Sequence, residues 1–155
     1  MNRQGNGLRI ALLLLPVALL AACSSGPRDI DYGKELCAHC SMAITDTRFA
    51  AELLTDKSKV YVFDAVECMA AFVNDAKVPE ARVGSMWVMD HGHPGTFIDA
   101  AKAYYLQAEQ IQSPMGMNLA AFATEDDWKA ARQRLGGKLY RWLGLRLLIA
   151  KEWSE

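Results

Sequence analysis

The sequence predicts an α+β fold of two related halves, each running in ββαβ-like order. Three observations carry this expectation. Apolar residues alternate around residues 49–63, apolar residues fall at helical spacing from Val66 onward, and a second strand-then-helix pattern crosses residues 119–135. Phe49-Ala50-Ala51-Glu52 and Leu119-Ala120-Ala121-Phe122 are alike only as small-apolar strands, so the repeat is one of order and pattern.

Taken in order, Phe49, Ala51 and Leu53 alternate with more polar neighbours, Thr55-Asp56-Lys57-Ser58 supplies a polar turn, and Val60, Val62 and Phe63 return as a second strand. Asp64 and Glu67 have the spacing of a capping box, and Val66, Met69, Ala70 and Val73 share one face; this predicts a helix over 65–75 with Cys68 in its opening turn. A strand is predicted over 85–90, a short extended piece over 96–99, a helix over 100–109 and a strand over 119–123. Thr124 caps a helix over 125–135, which Gly136-Gly137 ends. Residues 139–153 are cationic and aromatic-rich and too short to span a bilayer. They predict an amphipathic helix that lies on a membrane, packs on a partner or docks on the protein's own core. Truncation after Gly137 is then expected to leave metal affinity intact.

The N-terminus divides from this body. Arg3 and Arg9 precede an apolar run, residues 10–22, with the character of a cleaved export signal. Its end, Leu20-Ala21-Ala22-Cys23, is similar to the lipobox of bacterial lipoproteins, which makes Cys23 the lipidated first residue of the mature chain and its acyl groups a membrane anchor. By lipoprotein convention Ser24 directs such a chain to the outer membrane. Four segments are expected: signal 1–22, lipidated N-terminus and tether 23–33, metal-binding α+β domain 34–137, and amphipathic extension 138–155. Loss of residues 1–22 removes two cations and no acid, leaving 15 Lys and Arg against 18 Asp and Glu. That balance argues against a nucleic-acid partner.

Cys37, Cys40 and Met42 put two thiols and a thioether within six residues. Such polarizable sulfur donors favour Cu(I) over hard cations. With Cys68 the mature body holds three cysteines beyond Cys23, an odd number that cannot all pair internally. A Cys37–Cys40 disulfide would close so short a loop that it would stabilise by only about 2 kcal/mol. Binding must displace thiol protons, so affinity weakens in acid. Pro114 and Gly116 hold Met115 in a loop suited to a thioether arm. Cys68 reads equally as ligand or core thiol, and Met69 and Met117 read as packing. His39, His91 and His93 are further donors, with His91-Gly92-His93-Pro94 a turn after a strand.

Cys37-Ala38-His39-Cys40-Ser41-Met42-Ala43-Ile44, Arg48-Phe49-Ala50-Ala51, Phe63-Asp64-Ala65-Val66-Glu67-Cys68-Met69, Ser113-Pro114-Met115-Gly116 and Ala121-Phe122 occur in that order. Together they resemble the NosL-type nitrous oxide reductase accessory lipoproteins, over residues 34–134. The resemblance implies a periplasmic Cu(I) chaperone for apo nitrous oxide reductase that works with an ABC-type copper-site assembly complex. It also implies an organomercurial-lyase-like fold of two ββαβ-like units, with copper held by Cys37, Cys40, Met42 and Met115 and, less firmly, Cys68 and Met69. Ser41 stands where the family's cysteine-methionine motif has glycine, an awkward occupant if the position needs a positive φ.

Two other classes fit the thiols. A thiol-disulfide oxidoreductase would use Cys37 as nucleophile and Cys40 as resolving thiol, but the motif precedes a hairpin and not the helix start such enzymes use. A Zn(II) module would close a tetrahedron from Cys37, Cys40, Cys68 and a histidine. No hydrolase triad, phosphate loop or acid/base carboxylate pair is present, so no catalysis is assigned.

Overall fold

The computed structural model describes residues 26–153. The predicted signal and the lipidation site Cys23 lie outside the described residues. The predicted hairpin forms from β1 (Ala51–Thr55) and β2 (Val60–Phe63), with Ala51 opposite Phe63 and Leu54 opposite Val60. After it comes α1 (Val66–Asn74), whose first eight residues are all buried. Apart from Glu67 these eight are apolar, so the helix is covered on every side. One face of α1 packs on β1 and β2, the other on a C-terminal helix, α3 (Trp142–Glu152).

A single 3-10 turn over Glu80–Arg82 leads into β3 (Val83–Met89), which pairs with β1, and β4 (Phe97–Asp99) adds outside it. This antiparallel sheet has the order β2-β1-β3-β4. A second, three-stranded sheet has the order β6-β5-β7, from β5 (Tyr104–Gln107), β6 (Leu119–Phe122) and β7 (Lys138–Tyr140). Between β6 and β7 runs α2 (Glu125–Leu135), capped as predicted by the Thr124 Oγ1, which accepts from the Asp127 N–H at 3.1 Å. Gly136 (φ 68°) ends it, and a Cβ at Gly137 (φ 93°) would collide with the Gln107 carbonyl as β7 enters the sheet. The sheets meet where the His91 N–H donates to the Ala121 carbonyl at 2.8 Å.

Three expectations are corrected. The helix over 100–109 is a turn followed by β5. Tyr104 and Tyr105 suit a strand, and pairing on both sides with β6 and β7 outweighs the helix propensity of the preceding alanines. The strand of the second half that corresponds to β1 is therefore β5, not residues 119–122. The capping box does not form: Ala65 is the N-cap without a side-chain bond, while Asp64 and Glu67 turn elsewhere. Finally, residues 138–152 are no appendage. β7 completes the second sheet, and Leu145 and Ile149 of α3 lie in the main core with Leu53, Phe63, Met69 and Tyr105. The core-docked alternative for this helix is the one observed.

Candidate metal centre

The loop that carries the first two cysteines is a miniature hairpin. Leu36 bridges Ala43, the Cys37 N–H donates to the Met42 carbonyl at 2.8 Å, and the Ser41 N–H donates to the Cys37 carbonyl at 2.9 Å. The Ala38 N–H donates to the carbonyl of Val62 at 2.9 Å, which docks the loop beside the end of β2. Ser41 closes the turn at φ 63°, the left-handed conformation that the expected glycine would adopt without strain. Ser41→Gly should therefore stabilise the chain by about 0.5–1 kcal/mol, the left-handed penalty relieved less the extra unfolded-chain entropy of glycine. Thermal and urea unfolding check this.

Immediately after β2 come Asp64 and then the start of α1, so Cys68 faces the loop. Among the described residues the side-chain donors of Cys37, Cys40, Asp64 and Cys68 all lie within 4.8 Å of one another. The three cysteines are free thiols. Cys37 and Cys68 are buried, Cys40 is half-buried, and Cys40 Sγ donates to Asp64 Oδ2 at 3.6 Å. The other carboxylate oxygen, Asp64 Oδ1, is buried without a hydrogen-bond partner. A buried acceptor without a partner beside three sulfurs leaves room for a cation or a water to complete the group.

The thiols differ in acidity for physical reasons. The Cys68 S–H donates to Cys37, and with backbone N–H groups of Cys40, Asp64 and His39 it pulls the Cys37 thiol down to about 6, against the opposing effect of burial. Burial pushes Cys40 up to about 11, with the Cys37 and Asp64 charges adding. Cys68 is raised, first by its donation to Cys37 and then by burial. At neutral pH the cluster thus holds one thiolate and two protonated thiols. A cation bound by all three sulfurs must displace the protons of Cys40 and Cys68, and below about pH 6 that of Cys37 as well. Apparent Cu(I) affinity should rise with pH across the neutral range and drop more steeply below pH 6. Competition with a chromophoric chelator at graded pH reads this directly.

Met42 stands 48% exposed on the loop rim. Met115, in the loop between β5 and β6, packs half-buried against both core clusters. Its loop is tied to α1 because the Ser113 hydroxyl donates to Glu67, the neighbour of Cys68. Burial pushes that Glu67 carboxyl up to about 7. Met69 is enclosed in the core, and Met117 packs against it. No histidine belongs to the converging group. His39 stacks on Trp153, His91 packs between Phe49 and Phe122, and His93 pairs with Asp90 at 3.1 Å. Asp64 was missed as a site residue because its position before a helix reads as a cap. Its nearness in sequence to Cys68, four residues on, was the available signal.

No helix among the described residues is long and apolar enough to cross a membrane. The NosL family model matches residues 29–146. A protein described as the copper-binding lipoprotein NosL of Stutzerimonas stutzeri is 33% identical over 114 residues, 68% of this chain and 58% of that relative's length. The crystal structure of the copper chaperone NosL from Shewanella denitrificans superposes with a TM-score of 0.65 at 27% identity, covering 76% of this chain and 92% of that one. With the family model spanning the Cys37–Cys40 loop, the hairpin of β1 and β2 and the helix that carries Cys68, this chain belongs to the NosL family.

Proposed function

We propose that this protein is a lipid-anchored Cu(I) carrier of the bacterial periplasm, held through Cys23 to the outer membrane, and that it serves copper-site maturation of nitrous oxide reductase. The observation that carries the reading is the convergence of three free thiols and a carboxylate from two separate segments, in a chain whose relatives are a copper-binding lipoprotein and a copper chaperone. Cys37, Cys40 and Cys68 supply soft donors, with Met42 at the exposed rim and Met115 on the adjoining loop as thioether candidates. The half-buried Cys40 is the donor an acceptor reaches first, so release proceeds by exchange at that sulfur while Cys37 and Cys68 still hold the ion. The recipients are apo nitrous oxide reductase and an ABC-type copper-site assembly complex. No catalysis is assigned. The shared strand order of the two sheets, second-first-third with the helix between second and third, supports two related ββαβ-like units of organomercurial-lyase type.

An oxidoreductase needs its low-pKa thiolate at the surface. Here the acidic thiol, Cys37, is 2% exposed and the accessible one, Cys40, is protonated. That inverts the requirement. Zn(II) is the second reading, and Asp64 favours it, because zinc accepts a carboxylate where Cu(I) does not prefer one. Anaerobic titration of the full chain in detergent against a chromophoric competitor, run with Cu(I) and with Zn(II), separates the two. For a copper carrier, Asp64→Asn should leave Cu(I) affinity within about tenfold and lower Zn(II) affinity by more, since only the harder ion loses a preferred ligand. Failure of the wild-type chain to hold Cu(I) against the competitor would overturn the proposal.

A further inference from the structure

The metal loop is touched from outside by the last described residue of the chain. The Trp153 ring stacks on His39, ring centroids 5.6 Å apart and planes within 15° of parallel. His39 lies between Cys37 and Cys40. Backbone hydrogen bonds secure the loop at Cys37, Ala38 and Ser41, and the tip between them is held by this stack and by the contact from Cys40 to Asp64. The second hold runs between two members of the metal group, whereas the stack contacts the tip from outside that group.

Trp153 caps the end of α3. Its N–H donates to the Ile149 carbonyl at 3.0 Å, Ile149 and Leu145 anchor α3 in the core, and α3 is clipped to the end of α1 by two bonds. Asn74 Nδ2 donates to the Arg146 carbonyl and Arg146 Nε donates to Asn74 Oδ1, both at 2.9 Å. α1 carries Cys68 at its other end. One helix pair therefore positions Cys68 directly and the Cys37–Cys40 tip through Trp153. The family match stops at residue 146, so this contact lies beyond what the family implies.

We infer that Trp153 is a positioning residue that clamps the metal loop and slows departure of the bound ion. The inference rests on the carrier reading above. The clamp acts through His39, not on the metal. An aromatic stack of this kind corresponds to roughly two- to tenfold in rate.

The test is stopped-flow transfer of Cu(I) from the loaded full chain in detergent to a chromophoric chelator. W153A should release roughly two- to tenfold faster. W153F, which keeps a stacking ring, should restore most of the slow rate. H39A should match W153A, and the double variant H39A/W153A should be no faster than either. A merely structural role for Trp153 would lower the melting temperature without that non-additivity. Because Trp153 also packs on the core, H39A keeps the test decisive if W153A does not fold: unchanged release from H39A overturns the clamp. Additive effects, or W153A releasing at the wild-type rate, overturn it too. A wild-type chain that retains no Cu(I) instead overturns the carrier reading itself, a distinguishable result.

Discussion

Cys68→Ser is expected to lower Cu(I) affinity by more than about a hundredfold, since altering mere supporting partners of metal ligands costs 10–100-fold. Serine is the informative replacement. Its hydroxyl still donates to Cys37, so the acidity of that thiol is largely preserved while a soft donor is replaced by a hard oxygen that Cu(I) disfavours. Cys68→Ala removes both, so Cys37 should return toward the ordinary thiol range and affinity should fall further. Met42→Leu, at a half-exposed rim position, should cost much less. Competitive titration with a chromophoric chelator measures all three. Affinity of C68S within threefold of wild type would make Cys68 a core thiol and nothing more. Melting temperatures recorded alongside show whether the fold survives the buried hydroxyl.

The second large effect concerns α3. Leu145 is fully buried among α1 and core residues, and Leu145→Ala should destabilise the chain by about 2–5 kcal/mol, the usual cost of an unfilled aliphatic cavity. Truncation after Gly137 should do worse. It removes Leu145 and Ile149, each worth about 1.5–3 kcal/mol of burial, and strips β5 of one of its two partners. Against a typical domain stability of about 5–15 kcal/mol, the shortened chain should lose cooperative unfolding and metal affinity together. Circular dichroism melts and Cu(I) titration check this. A truncated chain with the wild-type melting temperature would restore the boundary at residue 137.

Much of the fold was legible because its signals are local. The hairpin of β1 and β2, the apolar stripe of α1 and the Thr124 cap of α2 each depend on residues within one or two turns of chain. The misread segments were those decided by distant partners. Tyr104–Gln107 is a strand because β6 and β7 flank it, and α3 is a core helix because α1 is apolar on the side that faces it. Even so, the serine at position 41 disclosed a backbone requirement, since a motif that calls for glycine calls for a positive φ.

By itself, then, the sequence determined the α+β class, the family and the soft-donor character of the Cys37 and Cys40 thiols, since residue type dictates donor softness and short spacings dictate local turns; it left Cys68 open between donor and core thiol. Tertiary structure alone decided that Asp64 joins those sulfurs instead of capping α1, that Cys37 and not Cys40 is the acidic thiol, and that the end of α3 reaches back to His39. Acidity and coordination depend on burial and on groups brought within a few ångströms across long stretches of chain, and those distances exist only once the core has packed.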